Sequence, residues 1–170
     1  MPTDFRTVVR SQFRAALSML EQCIDRCPDE RWDDAIGKYP FWHVVYHTLC
    51  FVDCYLSPSN DEFTRTVEAR AWQAFNPQPN GMAELDDEYP SRRFTRDEMR
   101  RYAQLCRDKL ESVLAAETDA TLDGPSGFSW LKFSRAEGHL YNLRHLQHHT
   151  GQLSAALRRC GVDTQWVKAE

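Results

Sequence analysis

Apolar residues near the start of the chain recur every three to four positions, which is the spacing of one face of an α-helix. From residue 4 onward these positions are Phe5, Val8 or Val9, Phe13, Leu17, Leu20 and Ile24. Pro28 follows, and a proline cannot extend a helix because it lacks a backbone N–H and clashes with the preceding turn. The pattern therefore predicts an amphipathic first helix that ends near Cys27.

The second predicted helix runs from Pro40 to about Leu56 and is apolar on almost every side, although it contains two histidines and an aspartate. Pro40 is expected as its first residue, because the missing N–H of a proline would have no partner there. A helix that is apolar all round belongs in the core, so this helix is expected to be the most buried element. It is shorter than the roughly 20 apolar residues that a membrane span requires.

Capping boxes, in which a Ser or Thr is followed three residues later by Glu, indicate the starts of two further helices. Thr95 and Glu98 form the first box, and Ser134 and Glu137 form the second. Gly161 follows a basic stretch and is expected just past the end of the last helix, because glycine adopts the left-handed conformation found there. Four helices joined by loops predict an all-α fold, a four-helix bundle.

Residues 57–94, between the second and third helices, form a long irregular connection that is rich in proline. A short helix from Glu62 to Phe75 is expected within it. Connections of this length in a compact domain are more often functional than idle, so we expect a lid or a pocket wall. Trp72, Phe75 and Trp130 lie in or beside irregular segments and are candidates to cap the mouth of that pocket.

Length and composition predict one globular domain, residues 1–170. A chain of 170 residues is long enough to bury a core, and a hydrophobic content of 42% argues against a disordered chain. The net charge of −4 is mild and the charges are mixed, which disfavours nucleic acid and anionic membranes as partners. The first residues lack the pattern of a secretory signal, and six cysteines without such a signal are expected as reduced thiols. A cytoplasmic location is therefore expected.

Histidines are concentrated in the last predicted helix, where His145, His148 and His149 occur within five positions. Residues four apart lie on one helix face, so His145 and His149 can direct their imidazoles at one point. His148 diverges from His149 by about 100° and cannot serve the same point equally well. His148 and His139 are therefore expected on the helix surface or at a dimer interface. A catalytic zinc ion usually takes three protein ligands, so a third must come from elsewhere.

The third ligand is expected from the second helix, at His47. A buried imidazole is costly unless its nitrogens find partners, and a metal ion is one such partner. We therefore predict that His47, His145 and His149 bind one divalent ion and leave a position open, as in catalytic zinc sites. Imidazoles accept several metals, of which zinc and nickel are the expected ones. His43 is expected in the core or lining the pocket.

Two segments carry a resemblance to a known family: Trp42 to Leu49, an aromatic and aliphatic stretch with a histidine inside it, and His145 to Gln152, of the form H-x-x-H-H-x-G-Q. In these segments, and in helix order and length over almost the whole chain, the protein resembles the DinB (YfiT-like) superfamily of proposed metalloenzymes. The resemblance implies an up-down-down-up four-helix bundle, often a homodimer, with a three-histidine metal site. Its ligands here would be His47, His145 and His149. Thr150 departs from the pattern, which frequently has arginine there.

Characterised members of that family include thiol-dependent S-transferases and a maleylpyruvate isomerase. The resemblance therefore implies a transferase that joins a small electrophilic substrate to a low-molecular-weight thiol. The ion would bind the thiol or a water molecule and lower its pKa, which makes it a nucleophile. Two alternatives stay open. One is a non-catalytic metal- or ligand-binding bundle that the ion stabilises. The other is a metal-dependent hydrolase, with Asp53 or Glu137 as its general acid or base.

Overall fold

The computed structural model describes residues 4–70 and 92–170, which are mostly helical. Their helices are α1 (Phe5–Arg26), α2 (Phe41–Leu56), α3 (Asn60–Ala69), α4 (Arg96–Ala116), α5 (Asp119–Asp123) and α6 (Arg135–Arg159). A 3-10 turn at Asp29–Arg31 and an antiparallel hairpin, β1 (Ala35–Ile36) and β2 (Tyr39–Pro40), connect α1 to α2. The all-α class expected from the sequence is confirmed.

The starts predicted for the last two long helices are confirmed by their side-chain caps. Thr95 caps α4 by accepting a hydrogen bond from the backbone N–H of Glu98, and the carboxylate of Glu98 accepts one from the backbone N–H of Thr95, which completes the capping box. Ser134 caps α6 by accepting a hydrogen bond from the backbone N–H of Glu137. Gly161 follows the end of α6 with a φ of 78°, the left-handed conformation that glycine adopts without strain.

Other boundaries differ from the sequence prediction. Pro40 is the residue before α2 rather than its first residue, because its ψ of 156° is extended and it pairs with Ala35 in the hairpin. Helix α3 begins at Asn60, two residues earlier than predicted, because Ser59 accepts a hydrogen bond from the backbone of Glu62. It ends at Ala69, and Phe75 lies outside the described residues. The five-residue helix α5 was not predicted.

The four long helices share one core. Helices α1 and α2 each pack against both α4 and α6. Every residue of α2 except Trp42 is buried, as expected for a helix that is apolar on all sides. The up-down-down-up order of helix directions stays a prediction. No helix in residues 4–70 or 92–170 combines the length and apolarity that a membrane span needs.

Side chains from α6 and α4 fix the C-terminal end of α2. The guanidinium of Arg135 donates hydrogen bonds to the carbonyl oxygens of Tyr55, Leu56 and Ser57 at 3.1, 3.1 and 3.0 Å. The last carbonyls of a helix have no partner within the helix, so Arg135 satisfies groups that burial would otherwise leave unpaired. Lys109 in α4 donates to the carbonyl oxygen of Asp53 at 2.9 Å. Helix α2 is thereby held against both neighbours.

Candidate metal centre

Three imidazoles converge between α2 and α6. His47 lies in α2, and His145 and His149 lie one turn apart in α6. One possible ligand atom from each of the three side chains lies within 4.8 Å of the others. The ring centroids are 5.2 Å apart for His47 and His145, 4.7 Å for His47 and His149, and 4.5 Å for His145 and His149. The sequence-predicted trio is thus brought to one place in the fold.

The spacing of the nitrogens fits a divalent metal ion. Nε2 of His47 lies 3.2 Å from Nε2 of His145. In a tetrahedral site with Zn–N bonds of about 2.0–2.1 Å, two ligand nitrogens are roughly 3.3 Å apart. Without an ion, the same spacing suits one hydrogen bond in which one Nε2 donates and the other accepts. The cluster can therefore hold a divalent metal ion with little rearrangement of these two rings.

The three imidazoles are also in the protonation state that a metal ion needs. His47 is 4% exposed, and its burial lowers its pKa well below the usual value, with a further contribution from His145, His149 and His43. Burial, together with the neighbouring histidines, lowers the pKa of His145 to about 3. The pKa of His149 is lowered mainly by burial, against a hydrogen bond to Gln152 that raises it. All three rings are neutral at pH 7 and each offers a nitrogen lone pair.

A hydrogen-bonded chain extends from the cluster along α6 to the surface. Nδ1 of His149 lies 2.9 Å from Oε1 of Gln152, and Nε2 of Gln152 lies 3.3 Å from Nε2 of His148. His148 is exposed, as expected. Gln152 was part of the sequence motif, but no role was predicted for it. The signal that points to it is its position three residues after His149, on the same side of the helix.

An aromatic wall lies beside the imidazoles. The ring of Phe51, one turn after His47, is 4.7 Å from the ring of His47 and 5.0 Å from that of His145. Phe51 also contacts Tyr55, at 5.5 Å between ring centroids. Both are buried. This wall excludes water from one side of the cluster and makes electrostatic interactions there stronger than at the surface.

His43 is buried beside the cluster but does not belong to it. Its ring is stacked on Trp42 at 5.4 Å and meets the edge of Tyr39 at 4.9 Å. It is 6% exposed. Within the described residues, the group of ligand atoms that can share an ion contains His47 and the two α6 histidines without His43. Its surroundings match the core position expected from the sequence.

His139 was expected on the helix surface or at a dimer interface, and this expectation is wrong. His139 is fully buried, and its Nε2 lies 3.1 Å from Oε1 of Glu117. The same carboxylate oxygen accepts a hydrogen bond from Nε of Arg135 at 2.9 Å. His139 therefore belongs to the network at the start of α6 that supports the end of α2, because its partner Glu117 also holds Arg135. This contact joins residues far apart in the chain and leaves no local signal.

The two carboxylates considered for a hydrolase do not meet the imidazoles in this arrangement. Asp53 is fully buried and accepts hydrogen bonds from Tyr102 Oη at 3.0 Å, Arg70 Nη1 at 2.8 Å and Lys109 Nζ at 2.6 Å. Its oxygens thus face Arg70 and α4, whereas the imidazoles lie between α2 and α6. Glu137 is exposed in the first turn of α6, two turns before His145.

The predicted pocket cap falls partly outside the described residues, since Trp72 and Phe75 lie there. Trp130 is described and half-buried, with its ring 5.4 Å from that of Phe128. Phe128 in turn contacts Tyr55, at 5.3 Å between ring centroids. Trp130 is therefore connected through the buried ring of Phe128 to Tyr55 in the aromatic wall of the cluster. A role in capping a pocket stays a prediction.

A protein-family model matches most of the chain. The family model described as the DinB superfamily matches residues 12–153, a range that contains all three imidazoles and Gln152. Comparisons with curated proteins and with solved structures found no match.

Proposed function

Because the chain belongs to the DinB superfamily, we propose that it is a metal-dependent enzyme whose ligands are His47, His145 and His149. The observation that carries this proposal is the convergence of three neutral, largely buried imidazoles from two facing helices. Structural zinc sites usually have four protein ligands, whereas catalytic sites have three and keep one position open. Zinc or nickel is the proposed ion, since both accept imidazole ligands.

We further propose that the enzyme transfers a low-molecular-weight thiol to a small electrophilic substrate. A divalent ion in such a site lowers the pKa of a thiol that binds at its open position, so that the thiol reacts as a nucleophile at neutral pH. The chain's own residues support this chemistry in two ways. Burial keeps the three imidazoles neutral, so protons do not compete with the ion for their lone pairs. Phe51 keeps water from one side of the cluster.

A purely structural role for the ion is less well supported. The end of α2, the helix that carries His47, is already held by Arg135 and by Lys109 through hydrogen bonds to its carbonyl oxygens. A metal-dependent hydrolase is also less well supported. Of its two candidate acids, Asp53 is engaged by Arg70 and Lys109 and Glu137 is exposed.

We also propose that the protein acts as a homodimer, as the family resemblance implies. Val8 in α1 and Leu140 in α6 are large apolar side chains that are 46% and 49% exposed. Exposed apolar side chains favour a protein partner when they form one patch. Sedimentation velocity of the protein and of a Val8→Glu, Leu140→Glu variant tests this. A dimer that buries both side chains separates into monomers in the variant, and a monomeric wild-type protein contradicts the proposal.

The proposed reaction is tested by measuring consumption of a small thiol. Zinc- or nickel-loaded protein is incubated with glutathione, cysteine or another low-molecular-weight thiol and a panel of epoxides, activated alkenes and alkyl halides. We expect thiol loss and a thioether product for at least one pair, and no product with His47→Ala. Failure of the loaded protein with all pairs, while it binds metal, contradicts the transferase and favours the non-catalytic alternative.

A further inference from the structure

Gln152 makes two hydrogen bonds with histidines, and each of them uses a different end of its amide group. Its Oε1 lies 2.9 Å from Nδ1 of His149, and its Nε2 lies 3.3 Å from Nε2 of His148. His149 belongs to the imidazole cluster, whereas His148 is an exposed residue for which the proposed function has no use. The amide therefore connects the cluster to a surface histidine.

The amide orientation determines which nitrogen of His149 carries the proton. A neutral imidazole has one N–H donor and one acceptor, and a carbonyl oxygen only accepts. With Oε1 of Gln152 facing it, Nδ1 of His149 must be the protonated nitrogen. Nε2 of His149 is then the nitrogen with a free lone pair, which is what a metal ligand requires.

The opposite orientation of the amide would prevent coordination through Nε2. If the amide of Gln152 were rotated by half a turn, its NH2 group would donate to Nδ1 of His149 and would favour the tautomer protonated on Nε2. In the observed orientation the amide NH2 group donates to Nε2 of His148, so His148 favours that orientation as long as its Nε2 is unprotonated.

Among the residues that the structure describes, none does for His145 what Gln152 does for His149. Nδ1 of His145 is buried and has no hydrogen-bond partner among the residues that the structure describes. Nitrogens of metal-binding histidines that do not face the ion usually donate to a carboxylate, a carbonyl or water, and loss of such a partner typically weakens metal binding by roughly 10- to 100-fold.

We propose that Gln152, oriented by His148, is a positioning residue that keeps His149 in the tautomer protonated on Nδ1 and so prepares Nε2 for a divalent metal ion. This inference rests on the proposed function only for the identity of the ligand. The hydrogen-bonded chain and the tautomer it selects are properties of the metal-free protein.

The tautomer is measured first, in the metal-free protein, by long-range proton–nitrogen correlation spectroscopy with 15N-labelled histidine. We expect His149 to carry its proton on Nδ1 in the wild-type protein. Gln152→Met has a side chain of similar length without a carbonyl, and we expect it to shift the proton of His149 toward Nε2. Gln147→Met is the matched control in the same helix, because Gln147 contacts Met19 rather than a histidine, and should leave the tautomer unchanged.

Zinc affinity is then measured by competition with a chelator of known affinity. We expect Gln152→Met to bind zinc roughly 10- to 100-fold more weakly than the wild-type protein. Gln152→Glu keeps an acceptor at the same place and should bind at least as tightly as the wild-type protein. A merely structural role for Gln152 would not give this order, because rescue by Glu depends on the acceptor.

The outcomes separate this inference from the proposed function. If Gln152→Met leaves the His149 tautomer where it is in the wild-type protein, the positioning role is overturned, whatever the zinc affinity. It is also overturned if the tautomer shifts while zinc affinity stays within about twofold of that of Gln147→Met. If the wild-type protein binds neither zinc nor nickel, the proposed function fails, and the tautomer measurement alone decides the role of Gln152.

Discussion

Nε2 of His47 lies 3.2 Å from Nε2 of His145, although 98 positions separate the two residues in the sequence. Helices α2 and α6 bring them together, and His149 joins them from the next turn of α6. Burial keeps the pKa of each of these histidines below its usual value. Three neutral imidazoles with converging nitrogens are what a divalent metal ion requires from a protein.

Arg135 is expected to be critical for stability. Its side chain is 11% exposed, pairs with Glu117 and caps three carbonyl oxygens at the end of α2. Removing one partner of a buried ion pair leaves the other charge unpaired, so Arg135→Ala should lower the free energy of unfolding by about 3–5 kcal/mol. Urea unfolding measures this. Arg158→Ala, at a 68% exposed arginine of the same helix, should cost less than about 1 kcal/mol. Equal losses in both variants would contradict the capping role.

Asp53 is expected to be structural rather than catalytic. Asp53→Asn removes the charge that Arg70 and Lys109 share in the core, and should lower the free energy of unfolding by about 3–5 kcal/mol. At a temperature where the variant is folded, it should still bind one equivalent of metal. Chemical denaturation and metal titration check the two effects. A stable Asp53→Asn variant that binds metal but has lost all turnover would instead mark Asp53 as a catalytic acid or base.

The stabilisation that Glu98 contributes through the capping box of α4 should change with pH in the acid range. A hydrogen bond from Arg92 lowers the pKa of Glu98 from 4.5 to about 2, and bonds to Thr95 add to this against the effect of burial. The pKa is lower in the folded state, so this stabilisation is complete above pH 4.5 and is lost as the pH falls from 4.5 toward 2. Glu98→Gln should remove that part of the pH dependence and cost less than about 1 kcal/mol at pH 7, because Gln can complete the box and only the partly exposed ion pair with Arg92 is lost. Unfolding curves at several pH values test this, and parallel wild-type and variant profiles would contradict it.

Metal removal should not unfold the protein. Arg135 and Lys109 hold α2 without help from an ion, so dialysis against a chelator should leave the helical circular dichroism signal unchanged. The melting temperature should rise when zinc is added back, by an amount that grows with zinc concentration, because the ion binds only the folded state. Loss of helical signal in the metal-free protein would favour a structural ion and the non-catalytic alternative.

Features that depend on local sequence were predictable, whereas contacts between distant residues were not. Thr95 and Glu98 form the expected capping box because both partners lie within one helical turn. The burial of α2 follows from its composition alone. By contrast, Arg135 reaches carbonyls about 80 positions away, and this contact depends on how α2 and α6 pack.

In the candidate metal centre, too, the sequence predicted some features and left others open. The spacing of His145 and His149 places them on one helix face, and an imidazole in an apolar helix pointed to His47 as their partner. The contact between Gln152 and His149 depends on a side-chain rotamer, which spacing allows but does not specify. The unexpected burial of His139 depends on its contact with Glu117, the residue that follows the end of α4.

The most direct test of the metal centre is elemental analysis of the purified protein together with zinc and nickel titration of the metal-free form. We expect one equivalent of divalent metal per chain in the wild-type protein and in His148→Ala at saturating metal. We expect almost none in His47→Ala, His145→Ala and His149→Ala, each checked for native helical content. One equivalent of metal in all three of these variants would contradict the assignment of the site.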